Sequence, residues 1–179
     1  MNPWIAVVGR TRDGANEVVA RIVAKCRAQG LRVGGVRQER IMRDDQRAGF
    51  DVVNLVDGER HSLAHVAPSL DARDICDLTF DSDALTAVRR WLTSPEIEVV
   101  LLPVGPLEAR GRGHWPAIEA ALLGTPRLLV LQIRPDVLTQ VALQLDDPSG
   151  DLTLPANSEE LERLFDTIVR TGMAQRSVT

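Results

Sequence analysis

This chain of 179 residues has few aromatic residues and no large excess of charge of one sign. Aromatic residues make up only 3% of it and tyrosine is absent, so the sequence does not suggest a large aromatic-rich interface. The 21 basic and 25 acidic residues are spread along the chain and give a formal net charge of −4. A basic stripe of the kind that nucleic-acid binding requires is missing, and we expect no nucleic-acid partner.

Cysteines and long apolar runs are also few. Cys26 and Cys76 form no CxxC motif, and free thiols are a better interpretation than a disulfide or a metal pair. The N-terminal apolar run has only about five residues, whereas about 20 are needed to span a bilayer. No positively charged leader precedes it. We expect a cytoplasmic protein that makes no membrane contact.

Short apolar runs alternate with helical patterns along the chain, which contains 44% hydrophobic residues. The runs "WIAVVG", "IEVVLLPV" and "RLLVLQI" predict buried strands near residues 4–8, 97–102 and 127–133. Ala15 to Gln29 has helical spacing, and "LRVGGV" follows as a further strand. Strands that alternate with helices indicate an α/β fold with a mainly parallel central sheet. No linker divides the sequence, so we expect one domain over residues 1–179.

The middle and the tail of the chain add less regular elements. "FDVVNLV", "DGER" and "HSLAHV" predict an antiparallel hairpin over about residues 50–66. Ser82 or Asp83 is the expected cap of a helix that runs through Leu92, and "HWPAIEAALL" is also helical. A short strand near Leu152 precedes a helix that Asn157 or Ser158 opens.

The stretch "VVGRTRDGANEVV" has the outline of a phosphate-binding loop. Gly9 and Gly14 are separated by four residues, an apolar strand precedes them and a helix follows, as in the frame G-x-x-x-x-G-K-[ST]. Ala15 stands at the Lys position and Asn16 at the Ser/Thr position. The backbone of such a loop is retained, whereas the side chains that bind phosphate and metal are not.

Longer segments resemble a known family. "LRVGGVRQERI", "QRAGFDVVNLVDGERHSLAH" and "VGPLEARGRGHWPAIEAAL" occur in the order and at the spacing found in small P-loop nucleoside triphosphatases related to the cancer-related nucleoside triphosphatase. The likeness covers roughly residues 4 to 140 and extends to a bacterial family described as encoded beside molybdate-transport components. It implies a P-loop NTPase-like three-layer sandwich with an added antiparallel hairpin. Gly49 and Phe50 match the start of that hairpin, where Gly49 is expected in a turn.

The same resemblance implies which catalytic parts are missing. Family members use the loop Lys on the phosphates, the Ser/Thr hydroxyl on magnesium, and paired acidic residues before "GPLE", where this chain has Leu102 and Pro103. We therefore expect no magnesium-dependent triphosphatase activity, no metal and no cofactor. The chain is interpreted as a non-catalytic binding or regulatory protein, a pseudo-NTPase, whose oligomeric state is open.

An alternative keeps nucleotide chemistry. Arg10 and Arg12 flank the loop and could replace the Lys in a nucleotide-binding phosphohydrolase, because a guanidinium binds phosphate in a bidentate way. The loop could also bind a small anion at the start of the helix. Asp13 competes with such an anion, since its carboxylate is expected to accept hydrogen bonds from the amides of Ala15 and Asn16.

Other polar residues are candidates for a partner surface or a metal site. Glu108 and Arg110 follow a buried strand, at the edge where open α/β sheets bind ligands, so they are the candidate strand-end surface for a small ligand, an anion or a protein partner. His61, His65 and His114 lack the convergent set of ligands that zinc requires, and hydrogen-bonded histidines are the simpler interpretation.

Overall fold

The computed structural model describes residues 1–66, 78–124 and 128–174. In these ranges the strands are β1 (Trp4–Val8), β2 (Val33–Arg43), β3 (Gln46–Asn54), β4 (Arg60–Val66), β5 (Leu78–Phe80), β6 (Val99–Val104), β7 (Leu128–Ile133) and β8 (Gly150–Thr153). The helices are α1 (Ala15–Ala28), α2 (Ser82–Leu92), α3 (Trp115–Leu123), α4 (Leu138–Ala142) and α5 (Ser158–Ala174). Short 3-10 turns occur at Thr11–Asp13, Glu108–Arg110 and Pro135–Val137.

One sheet with the strand order β5-β4-β3-β2-β6-β7-β1-β8 forms the centre of the fold. The neighbours from β2 through β6, β7 and β1 to β8 pair in parallel, and β3, β4 and β5 continue the sheet by antiparallel pairing. One face packs against α2, α3 and α4, and the other face packs against α1 and α5. The predicted α/β sandwich with a mainly parallel sheet is confirmed.

The apolar runs form the buried centre of the sheet. Every residue of β1 is buried, and β6 and β7 are buried except for Pro103 and Gln132, which are partly buried. This agrees with the prediction for the three strands, although Arg127 lies outside the described residues. Because β6, β7 and β1 are parallel neighbours, the chain segments that follow Val104, Ile133 and Val8 emerge side by side at one edge.

The antiparallel part is larger than the predicted hairpin. β2 pairs with β6 through Gly35 and then continues to Arg43 as the partner of β3, so the predicted pair β3 and β4 belongs to a ladder that also includes β5. The expected turn at Gly49 is wrong. Gly49 lies inside β3 opposite His65, where a Cβ atom would collide with the carbonyl oxygen of Ala64.

Two helix starts differ in how well the sequence predicted them. Asn157 and Glu160 form a reciprocal cap at α5, because the Asn157 side chain accepts from the Glu160 N–H and the Glu160 carboxylate accepts from the Asn157 N–H. At α2 the expected cap at Ser82 or Asp83 is wrong. Asp81 caps the helix by accepting from the amides of Asp83 and Ala84, and these bonds hold the pKa of Asp81 below its usual range.

None of the helices in the described ranges has both the length and the apolar composition needed to cross a lipid bilayer.

Candidate functional site

The loop of residues 9–14 joins β1 to α1 at the edge where the parallel strands end. Its first amide, of Gly9, donates to the Ile133 carbonyl at 3.0 Å and so continues the pairing of β1 with β7. The next residues fold into a 3-10 turn, in which the Asp13 N–H donates to the Arg10 carbonyl at 2.9 Å and the Gly14 N–H donates to the Thr11 carbonyl at 3.1 Å. These amides bond the loop's own carbonyls and are not directed at a bound anion.

The Asp13 side chain closes the loop in a way that the sequence did not predict. Its carboxylate accepts a hydrogen bond from the Arg10 N–H at 2.9 Å. The expected bonds to the amides of Ala15 and Asn16 are wrong, because Gly14 is the N-cap of α1 and no side chain caps that helix. Asp13 therefore binds the first half of the loop, and the Ala15 N–H donates instead to the Arg10 carbonyl at 3.4 Å.

Both loop arginines have a carboxylate nearby. The Arg10 guanidinium lies 3.6 Å from Asp136, and Arg134 binds Asp136 in a bidentate way at 3.0 and 2.7 Å. Hydrogen bonds from Arg134, with a smaller effect of Arg10, hold the pKa of Asp136 below its usual range. The Arg12 guanidinium is 3.8 Å from Asp13, and its side chain is 75% exposed. Arg10 thus forms an ion pair with the segment that follows β7.

Asp136 is a site residue that the sequence reasoning missed. The signal was present, because an acidic residue three positions after a buried strand lies at the edge where the other loops meet.

No lysine is available near the loop. Ala15, at the Lys position, is fully buried and packs with Val18 and Ile22 of α1. The chain contains one lysine, Lys25. It lies in the last turn of α1 and binds Glu162 of α5 at 2.8 Å. A lysine from elsewhere in the chain therefore does not replace the missing group.

The end of β6 does not fit a magnesium ion. Leu102 is 2% exposed and belongs to the same apolar cluster as Trp115. The Pro103 side chain has no atom that can bind a metal ion. A hard cation needs oxygen ligands, which neither residue provides. Asn16, which is exposed at the start of α1, has a carboxamide in place of the hydroxyl. The residues at these positions do not form the magnesium site that the resemblance implies.

Glu108 has a structural position that corrects its assignment to a surface. It is 5% exposed and accepts hydrogen bonds from two backbone amides, those of Gly105 at 2.9 Å and His114 at 3.0 Å. It therefore ties the segment after β6 into a compact turn. Arg110, in the same turn, is exposed, so the two candidate residues do not form one surface.

His114 is the least satisfied polar side chain in this region. It is 2% exposed, its Nε2 lies 3.1 Å from the Gln38 amide nitrogen, and its Nδ1 has no hydrogen-bond partner among the described residues. Burial lowers the pKa of His114, and the nearby Glu108 carboxylate partly opposes this effect. The ring is therefore neutral at physiological pH.

The other histidines and Cys26 do not converge on one site. His61 contacts Glu59 at 3.0 Å and His65 contacts Ser62 at 3.0 Å. In the described ranges no three His, Cys, Asp or Glu side chains are grouped so as to hold a metal ion. Cys26 is buried and free, and burial raises the pKa of its thiol to about 11. Cys76 lies outside the described residues.

Comparison with known proteins agrees with the fold. A family model described as NTPase matches residues 4–148. The nucleoside-triphosphatase THEP1 of Pyrococcus abyssi is 31% identical over 126 residues, which are 69% of this chain and 70% of that protein. The THEP1 of Korarchaeum cryptofilum is 29% identical over 117 residues, and the match spans 63% of this chain and only 60% of the relative.

Two solved structures have the same architecture. The solution structure of a human cancer-related nucleoside triphosphatase superposes with a TM-score of 0.64 at 18% identity, over 94% of this chain and 96% of that one. The crystal structure of THEP1 from the hyperthermophile Aquifex aeolicus gives a TM-score of 0.54 at 14% identity, over 95% of this chain and 98% of that one.

Proposed function

This chain belongs to the NTPase family, and we propose that it is a non-catalytic member that acts as a binding or regulatory protein. The observation that carries the proposal is the closed loop of residues 9–14. The Asp13 carboxylate accepts from the Arg10 amide, and the amides of Asp13 and Gly14 donate to carbonyls of the same loop. A nucleotide phosphate would have to displace these internal bonds without a lysine to attract it.

The missing side chains support the same proposal. Removing one preorganised contact to transition-state charge typically raises the barrier by about 3 kcal/mol or more. Ala15 and Asn16 at the start of α1 and Leu102 in β6 lack the groups that would contact phosphate and metal, so one local rearrangement does not restore both segments. These differences support the proposal that the chain does not hydrolyse triphosphates.

The alternative, a phosphohydrolase that uses Arg10 and Arg12, is less well supported. Arg10 is 3.6 Å from Asp136 and Arg12 is 3.8 Å from Asp13, so each guanidinium already has a neighbouring negative charge. Both side chains are exposed, and exposed ion pairs are weak enough to be exchanged for a phosphate. The phosphate-release and titration experiments therefore include a variant of each arginine.

The proposal is tested by phosphate release and by calorimetric titration with ATP and GTP, each with and without magnesium. We expect no turnover above the blank and no saturable heat. Arg10→Ala and Arg12→Ala are measured in parallel, with Arg163→Ala on α5 as the matched control for loss of an arginine. Turnover that disappears in Arg10→Ala or Arg12→Ala but persists in Arg163→Ala would instead support the phosphohydrolase.

We also propose that residues 1–179 form one domain. Two apolar clusters cover the two faces of a single sheet, and both contain residues from the two halves of the chain. A single cooperative unfolding transition, with equal calorimetric and van't Hoff enthalpies, is expected. Two separate transitions would contradict it.

A further inference from the structure

A groove of about 290 Å³ lies between the turn that joins β3 to β4 and the C-terminal end of α2. Three apolar side chains, Val56, Trp91 and Ile97, contribute to its wall. The groove borders the segment that precedes β6, whereas the loop of residues 9–14 follows the end of β1. It is therefore a separate place from the loop, and its volume suits a ligand of about the size of one amino acid.

Glu59 makes one side of this groove rigid. Its carboxylate accepts hydrogen bonds from the Trp91 indole at 3.2 Å and from His61 at 3.0 Å, and the Arg90 guanidinium lies 3.7 Å away. The His61 and Trp91 rings also contact each other, with centroids 5.5 Å apart. The indole wall is thus held in place before any ligand binds.

Asn54 offers unused hydrogen-bond donors to the groove. The residue is 5% exposed and lines the groove, and its side-chain carbonyl oxygen accepts from the Val56 N–H at 3.1 Å. That bond fixes the orientation of the amide, because only the oxygen can accept. Within the described part of the chain, the Asn54 side-chain nitrogen donates to no protein group. Because this nitrogen is not among the atoms sealed from solvent, it can donate to an acceptor oxygen of a ligand in the groove.

The charge around the groove favours a cation. Asp57, Glu59 and Glu96 line it together with one guanidinium, that of Arg90. One oxygen of Asp57 accepts from the Glu59 N–H at 2.8 Å, which leaves the other oxygen available. Glu96 is exposed and pairs with no side chain of the described residues. Two carboxylates can therefore receive a positively charged group.

We propose that this groove binds a small organic cation that also carries a hydrogen-bond acceptor. The ammonium or guanidinium group lies toward Asp57 and Glu96, a carbonyl or carboxylate oxygen accepts from Asn54, and the methylene chain packs on Trp91. A free basic amino acid and a basic residue within a peptide share this chemistry. The site does not depend on whether the loop of residues 9–14 is catalytically silent.

The test is a titration of the ¹⁵N-labelled protein followed by NMR, with the Trp91 indole signal as reporter. The probes are N-acetyl-L-arginine methylamide, the neutral N-acetyl-L-norleucine methylamide, and n-butylguanidine, which has one guanidinium and no carbonyl. We expect saturable shifts with the arginine derivative, none with the norleucine derivative, and about fivefold weaker binding of n-butylguanidine, the usual effect of one lost hydrogen bond. The indole signals of Trp4 and Trp115 serve as internal controls and should not move.

Free L-arginine distinguishes the two sources of the ligand. Tighter binding of free arginine than of the blocked derivative identifies a free amino acid, and the reverse order identifies a basic peptide. No saturable shift with either compound below about 10 mM would overturn the proposal, since weaker binding is not specific recognition.

Three variants separate this site from general attraction to an acidic surface. Asp57→Asn combined with Glu96→Gln should weaken binding of the arginine derivative at least about tenfold, while Glu159→Gln on α5 should leave it unchanged. Asn54→Asp keeps the oxygen that accepts from Val56 but removes the donor, so the preference for the arginine derivative over n-butylguanidine should vanish. Unchanged affinity in the double variant, or equal shifts with the norleucine derivative, would overturn the proposal.

Discussion

The Asp13 carboxylate accepts a hydrogen bond from the backbone N–H of Arg10 at 2.9 Å, and this contact closes a loop that has the spacing of a phosphate-binding loop. In such loops the backbone amides bind a ligand anion. Here a tethered carboxylate binds one of these amides. The chain therefore retains the shape of a phosphate-binding loop, but one of the loop's amide donors is paired with a side chain of the same loop.

We predict that Asp13→Ala lowers the free energy of unfolding by about 1 kcal/mol, because the partly buried N–H of Arg10 loses its acceptor. Chemical denaturation at low anion concentration measures the change. Asp13→Asn is the matched control, since its carbonyl oxygen can still accept from Arg10, and it should retain most of the stability. Added sulfate should recover part of the loss in Asp13→Ala. Equal losses in both variants would show that the hydrogen bond is not the cause.

Restoring the Lys should damage the fold and should not create a nucleotide site. Ala15 is fully buried beside Ile22, so Ala15→Lys overpacks that cluster or forces the helix start to move. We expect a loss of about 1–3 kcal/mol in the free energy of unfolding. Asn16→Thr, at the exposed neighbouring position, should stay within about 0.5 kcal/mol of the unmodified protein. A stable Ala15→Lys variant that binds ATP would contradict this prediction.

Gly113 and Gly111 allow a matched test of the Glu108 turn. Both glycines have left-handed backbones, with φ of 59° and 71°. A Cβ atom at Gly113 would collide with the Glu108 carboxylate, whereas the nearest atom to a Cβ at Gly111 is 3.9 Å away. We expect Gly111→Ala to cost about 1 kcal/mol from backbone strain, and Gly113→Ala to cost more. Equal melting temperatures of the two variants would show that Glu108 does not constrain the turn.

Acid should destabilise the protein through His114. Burial lowers the pKa of the folded-state ring below its usual value of 6.5. As the pH falls below that value, the unfolded state takes up a proton and the folded state does not, so the free energy of unfolding decreases by at most about 1.4 kcal/mol per pH unit. About one pH unit or more above that value both states hold the neutral ring, and this residue contributes little pH dependence.

Unfolding curves between about pH 7.5 and pH 5.5 measure this contribution. The decrease in the free energy of unfolding should be smaller in His114→Gln than in the unmodified protein. The exposed control His65→Gln should show the full decrease. An identical pH dependence in all three proteins would contradict the assignment.

Much of the fold was predictable from the sequence. The apolar runs around Val7, Val100 and Val130 predicted buried parallel strands, because strands covered on both faces by helices need apolar residues at every position. The reciprocal cap at Asn157 and Glu160 was also predictable, since both partners are three residues apart. These features depend on local spacing, which a single sequence displays directly.

Side-chain partners at the site were not predictable in the same way. The strand order places the segment after β7 next to the segment after β1, and only this arrangement brings Asp136 to Arg10. Likewise, Glu108 looked like a surface residue, but the chain after β6 folds back so that the amides of Gly105 and His114 surround its carboxylate.

The sequence by itself determined which chemical groups this protein lacks. A chain with Ala15, Asn16 and Leu102 has no lysine, hydroxyl or carboxylate at those positions, whatever its conformation. Only the tertiary structure decided what the remaining groups do. Asp13 could have capped α1, but it binds the Arg10 amide, because a short side chain accepts from whichever donor the backbone of the folded loop brings within reach.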